Sequence, residues 1–240
     1  MLKDKKEKKS NEANNSFVGG SIEHEYQFPD INKKNIIKKI KELGGKQVHS
    51  MILYTSVYYW NYKKNYFYRI RNENNNITLT KKVFRDKLMP LEYEINIIKG
   101  SNFKEIEDFV KSIIKMKNFG KIEVEKFREK WSIDGLCHEI VFDIWPGLPE
   151  YMEVDCATKR ELDEIIPKLG LKGKKYFTTG VFEYYNDVYG LTNRHVFKNS
   201  NMKFNTIAKI LEPHIKKNKE YLHDMQKNHK VIIKKYKSNV

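Results

Sequence analysis

The sequence predicts an α+β protein: a closed antiparallel β-barrel of about eight strands, helices flanking it, and a basic, helical C-terminal extension. Three observations predict this. Several segments with strand periodicity carry like charges at i and i+2 while apolar residues fill the alternate positions. A few amphipathic helical segments, with apolar residues at i, i+3 and i+4, are set among them. The last fifty residues, 191–240, hold 12 Lys and Arg against 3 Asp and Glu and show a weaker helical stripe.

In chain order, residues 1–20 are rich in Lys, Asn and Ser, end in Gly19-Gly20, and read as a disordered leader. The unit 21–190 opens with IEHEYQF (22–28), whose Glu23 and Glu25 share one face of the pleat. A helix is expected over 31–44 from Ile36, Ile37, Ile40 and Leu43, closed by Gly44-Gly45. The aromatic run containing Tyr54, Tyr58, Tyr59 and Trp60 precedes the hairpin YFYRIRNENNNITLTKKV. Arg69 and Arg71 share a face of its first strand, Thr78, Thr80 and Lys82 share a face of its second, and the Asn74–Asn76 run supplies the turn. LEYEINI then pairs Glu92 with Glu94.

A second helix is expected over 102–116 from Phe103, Ile106, Phe109, Val110 and Ile113. VEKFREKW follows with Lys126 and Arg128, HEIVFDIW with Asp143, and YMEVD with Glu153 and Asp155. A third helix over 158–169 carries Leu162, Ile165, Ile166 and Leu169 and stops at Gly170. In the extension, 191–240, the stripe Phe204, Ile207, Ile210, Leu211 is interrupted at Pro213.

One like-charged pair on a strand is ordinarily a solvated face. Five pairs of both signs, each opposite an apolar face, ask for a common explanation. If the apolar faces pack outward under helices, the charged faces converge inward, and a sheet of about eight strands closes around a space that fits side chains or a small ligand. Unpaired charges there would be severely desolvated, so they must be solvated, paired or compensated. Polyphosphate with a divalent metal suits both signs at once: guanidinium and ammonium groups match phosphate oxygens, and carboxylates hold Mg²⁺ or Mn²⁺.

The composition sets outer bounds. With 240 residues, 40% apolar and 13% aromatic, the chain can bury one substantial core or two small ones. No run approaches the ~20 apolar residues of a membrane span, and the N-terminus lacks the apolar segment of a secretory signal, so a soluble, cytoplasmic protein is expected. Cys137 and Cys156 have no partner at metal-ligand spacing and read as reduced, partly buried thiols. The net charge of +15 fits either solvated lysines or a basic surface that attracts polyanions.

The order E-x-E, R-x-R, T-x-T-x-K, E-x-E, K-x-R, a lone Asp and E-x-D resembles the CYTH, or triphosphate tunnel metalloenzyme, superfamily. That superfamily includes class IV adenylyl cyclases and thiamine, inorganic and RNA triphosphatases. The resemblance covers about residues 21–190. FDIWPGLPEYMEVD and FEYYNDVYGL are similar to segments of its small cyclase-like members.

The resemblance implies a closed eight-stranded tunnel, with Glu23, Glu25, Glu94, Glu153 and Asp155 around Mg²⁺ or Mn²⁺. Arg69, Arg71, Lys82, Lys126 and Arg128 would bind the triphosphate, and Glu92 and Asp143 would support the charged network. Glu23, Glu25, Gln27, Lys82 and Arg128 would form the catalytic set. Gln27 departs from the E-x-E-x-K signature: an amide can orient water or a phosphate oxygen but carries no charge. Asp155 departs more mildly, shortening a glutamate's reach by one methylene.

Three functions follow from the resemblance: a metal-dependent triphosphatase acting on a nucleoside, inorganic or organic triphosphate; a class IV-type adenylyl cyclase making cyclic AMP; and a binder of triphosphorylated or cyclic nucleotides without turnover. The triphosphatase is preferred. The expected partner is a triphosphate-bearing small molecule, with no membrane; the oligomeric state stays open, a homodimer included. His24 should face away from the tunnel, and Trp131, Trp145 and Phe142 should pack beneath helices. The extension is read first as helices packed on the barrel and second as an RNA contact, through lysines interleaved with Tyr221 and Tyr236.

Overall fold

The computed structural model describes residues 21–22, 24–84, 90–97 and 102–237. The strands are β1 (Ser21–Ile22), β2 (His24–Phe28), β3 (Lys46–Asn61), β4 (Tyr66–Glu73), β5 (Asn76–Phe84), β6 (Pro90–Ile97), β7 (Gly120–Ile133), β8 (Cys137–Ile144), β9 (Tyr151–Cys156) and β10 (Ser200–Met202). The helices are α1 (Lys33–Glu42), α2 (Phe103–Ile113), α3 (Lys159–Lys168), α4 (Val181–Tyr189), α5 (Ile207–Leu211) and α6 (Lys219–Lys237).

The strands form one sheet in the order β1-β6-β5-β4-β3-β7-β8-β9-β2, antiparallel throughout that path, with β10 added parallel to β7. The fully closed barrel of the sequence reading is corrected to a strongly curled sheet. Its ends are brought together by one short stretch of chain: β1 pairs with β6 over Ser21↔Glu92 and Ile22↔Leu91, and β2 pairs with β9 from His24↔Cys156 to Phe28↔Met152. Among the described residues β6 and β9 do not pair directly, so the seam rests on two residue pairs at the β6 edge.

Turn chemistry fixes the register where it matters. The β4–β5 hairpin turns on Asn74 and Asn75, both left-handed (φ 51° and 72°), as a tight two-residue hairpin turn requires and as Asn tolerates. That turn sets Arg71 opposite Thr78 and Arg69 opposite Thr80.

The helices cover the apolar face of the sheet. On α1, Asn32 caps the first turn by accepting from the Asn35 backbone N–H at 3.1 Å, and Ile36 and Ile40 are buried. On α3, Thr158 and Glu161 form a reciprocal capping box, and Leu162 and Ile165 are buried. These side chains share a core with Phe142, Met152 and Val154 of β8 and β9. On α2, Val110 packs with Val57, Tyr59, Ile70 and Ile77 of β3 to β5. The C-terminal residues belong to the same body: Phe204 packs with Met51, Phe127 and Ile144, and Ile207, Leu211 and Leu222 join the core under α4. Helix α4 was not anticipated, although Val181, Tyr184, Tyr185 and Val188 have helical spacing and Gly190 ends it in a left-handed cap (φ 70°).

Cys137 and Cys156 are buried free thiols, their sulfurs 2.9 Å apart. Among the described residues no helix is long and apolar enough to cross a membrane.

Candidate functional site

With apolar side chains turned outward, the alternate positions meet inside the curl, around a cavity of about 1520 Å³. Its ionic lining is organised in two networks and an acidic row.

The first network lies on β4, β5 and β6. Arg69 Nη2 donates to Thr80 Oγ1 (3.0 Å), Glu92 Oε1 (3.2 Å) and Glu94 Oε2 (3.1 Å). Thr80 Oγ1 also donates to Glu94 Oε2 at 2.7 Å, and Lys82 Nζ lies 3.4 Å from Glu92 Oε2. Arg71 Nε lies 2.5 Å from Glu73 Oε1, and its Nη2 lies 3.6 Å from Glu94.

The second network lies on β7, β8 and β9, centred on Asp143. This carboxylate has no exposed surface, and it accepts from Lys126 Nζ (2.7 Å), Arg128 Nε (2.7 Å) and Arg128 Nη2 (2.6 Å). Burial alone would raise the Asp143 carboxyl; the Arg128 and Lys126 charges outweigh it and hold it below the usual range. Burial, then the neighbouring Arg128, lower Lys126. Arg128 also reaches Glu139 (2.8 Å) and Glu153 (2.5 Å). Tyr54 joins the networks: Arg71, Lys126 and Arg128 stand 5.7, 5.9 and 5.8 Å from its ring centre.

The acidic row comes from β2 and β9, where register sets Glu25 opposite Asp155 and Gln27 opposite Glu153. Gln27 Nε2 donates to Glu25 Oε1 (2.5 Å) and Glu153 Oε1 (3.1 Å); Tyr151 donates to the same Glu153 oxygen at 3.0 Å. Burial, then the Glu153 and Asp155 carboxylates, push Glu25 up to about 8.

All the sequence-predicted residues within the described chain thus border this cavity, except Asp143, which lies beneath its wall gripping two cations that do. Glu23, between β1 and β2, lies outside the described residues. His24, expected to face away, borders the cavity, as do Trp145, Tyr58 and Trp60. Glu139 and Tyr151 were missed. Glu139 had a signal, since it lies on the Asp143 side of β8, four residues before it.

Among the described residues no three His, Cys, Asp or Glu side chains already converge as a metal cluster. The donor chemistry nevertheless fits a hard divalent cation: Glu25 and Asp155 face each other across the strand pair, and Asp155 Oδ1 is buried with no hydrogen-bond partner among the described residues.

No family model and no curated protein matches the chain. Solved structures do. A conserved hypothetical protein from Pyrococcus furiosus is 20% identical with a TM-score of 0.51, over 67% of this chain and 98% of that one. A candidate adenylate cyclase from Vibrio parahaemolyticus is 14% identical, over 62% of this chain and 85% of its own, with a TM-score of 0.49. The candidate adenylyl cyclase HpAC1 from Hippeastrum, described with a dominant triphosphatase activity, is 15% identical over 68% and 95%, with a TM-score of 0.44. At these identities the likeness is one of fold, and the Pyrococcus furiosus protein carries it.

Proposed function

We propose that this chain, a CYTH-type protein by the order of its charged strands, is a metal-dependent triphosphatase that hydrolyses its substrate inside the curled sheet. One observation carries the reading: the basic pairs of β4 and β7 and the acidic row of β2 and β9 border a single cavity. Arg69, Arg71, Lys82, Lys126 and Arg128 there suit the charge of a triphosphate, and the carboxylates suit the cation that accompanies it.

In this reading Arg69, Arg71 and Lys82 bind phosphate oxygens from one wall, while Lys126 and Arg128, pre-positioned by Asp143, bind from the other. Such fixed charges favour the transition state because they need not reorganise as the phosphoryl group transfers. Mg²⁺ or Mn²⁺, held by Glu25 and Asp155 with Glu23, Glu94 and Glu153 as the further candidate ligands, would neutralise phosphate charge and activate the attacking water. Gln27 commits its Nε2 to Glu25 and Glu153, and its buried Oε1 has no partner among the described residues, so that oxygen accepts a hydrogen bond from the water.

The test incubates purified protein with Mg²⁺ or Mn²⁺ and, separately, ATP, inorganic triphosphate, thiamine triphosphate and 5′-triphosphorylated RNA, and resolves the products. Orthophosphate release supports the proposal. Cyclic AMP with pyrophosphate would replace it with a cyclase, and tight binding without product would replace it with a binding protein. Arg69→Ala should abolish turnover; an unaffected rate removes the site assignment.

A further inference from the structure

The cavity changes character along its length. Towards the β3–β4 hairpin the inward positions turn aromatic: Trp60 follows Tyr58 on β3, Phe67 precedes Arg69 on β4, and Phe84 follows Lys82 on β5. These rings pack on one another, with Phe67 5.1 Å and Phe84 5.8 Å from Trp60.

The C-terminal segment adds to this wall. Strand β10 lies parallel to β7 with Met202 opposite Val124, and Met202 borders the cavity with Arg194 and Phe197. The Arg194 guanidinium stands 5.0 Å over the Trp60 ring and donates to Asn65 Oδ1 at 3.2 Å, while His195 stacks on Tyr62 at 4.5 Å. The attachment is close: a Cβ on Gly120 would fall 2.7 Å from Lys198 Cγ and 2.9 Å from the Tyr62 ring. Two indole donors, Trp60 Nε1 and Trp145 Nε1, are buried here with no hydrogen-bond partner among the described residues. Buried donors of this kind ordinarily find a partner. The cavity also exceeds the roughly 300–1,000 Å³ of a usual small-molecule pocket, more room than three phosphates need.

We propose that the cavity takes a triphosphate bearing a flat organic head group, its phosphates between the ionic networks and its head group against the wall formed by Trp60, Phe67, Trp145 and the C-terminal Arg194, Phe197 and Met202. This rests on the triphosphate reading above and narrows it: inorganic triphosphate is the poorer ligand, and residues 194–202 determine specificity. The head group supplies acceptors to the indole N–H groups and apolar area to the rings, neither of which inorganic triphosphate can offer.

Calorimetry of the full chain in Ca²⁺ with the β,γ-imido analogue of ATP, with thiamine triphosphate and with tripolyphosphate tests this, beside turnover of ATP, thiamine triphosphate and tripolyphosphate in Mn²⁺. At least one head-group ligand should bind tenfold or more tightly than tripolyphosphate, and the two arms separate a purine from a thiazolium-pyrimidine head. Arg194→Ala and the volume-sparing Phe197→Leu should each cut that preference at least fivefold, mainly through KM in the turnover arm. Equal affinity for all three ligands, no binding of any, or variants that weaken every ligand alike would overturn the proposal. Turnover without preference would leave the triphosphatase standing and remove the head-group site; preference without turnover would do the reverse.

Discussion

Asp143 holds Arg128 by a two-pronged grip, Oδ1 to Nε at 2.7 Å and Oδ2 to Nη2 at 2.6 Å, in a position closed to solvent. The same Oδ2 accepts from Lys126 Nζ at 2.7 Å. One buried anion thereby orients two cations towards the cavity.

Asp143→Asn should therefore cost about 3–5 kcal/mol, the range for breaking a buried ion pair. The chemical-denaturation midpoint measures this, and turnover should fall at least tenfold. Because a bound triphosphate supplies the missing negative charge, tripolyphosphate should restore more stability to Asp143→Asn than to the parent chain. A variant as stable and active as the parent would show that Asp143 positions nothing.

Strand parity made much of this site legible. Arg69 with Arg71, Lys126 with Arg128 and Glu153 with Asp155 each repeat at the period of a strand, and apolar neighbours reveal which face is covered. Residues lacking such a repeat stayed hidden. Glu139 shares the Asp143 face, but the residue between them is Val141, so no charged pair announces it. Tyr54 lies in an aromatic run whose members divide between the cavity and the core under α2, a division fixed by register. Strand β10 has three residues, too few to show a period, and its place on β7 is a long-range choice. The seam was also illegible, because parity says nothing about one stretch of chain serving two sheet edges.

Gln27→Lys tests the departure from the E-x-E-x-K signature. The Gln27 amide lies between Glu25 and Glu153, so an ammonium there would pair with both carboxylates and compete with the cation for them. Mn²⁺ affinity should fall about tenfold, or ~1.4 kcal/mol, while thermal stability in EDTA rises. Calorimetric titration and a melting curve read both; tighter Mn²⁺ binding would contradict the arrangement.

Glu25 gives the metal-free chain a pH dependence of definite sign. Its folded-state value of about 8 lies above the ordinary 4.5, so the folded chain keeps a proton that the unfolded chain releases. The stability from this group is complete below about pH 4.5 and is lost as pH rises through 8. In Glu25→Gln that decline should disappear from melting temperatures measured in EDTA. Because a cation must displace the proton, Mn²⁺ affinity in the parent chain should strengthen with pH up to about 8. A flat profile would remove Glu25 from the ligand set.

His229, on α6, supplies the opposite slope. It is buried with its ring edge-on to Phe204, centres 4.9 Å apart, and burial lowers it from 6.5 to about 4. The unfolded chain therefore takes up a proton between those values that the folded chain refuses, and stability is lost as pH falls from 6.5 through 4. Two-state linkage puts the loss from this residue between pH 7 and pH 5 at about 2 kcal/mol. His229→Leu keeps the contact with Phe204 and removes the titration, so its denaturation midpoint should drop less than the parent's over that interval. Because the Glu25 contribution is common to both chains, the difference between the two profiles isolates His229; identical profiles would mean that its imidazole is protonated in the folded state and that α6 lifts away from Phe204 to let it charge.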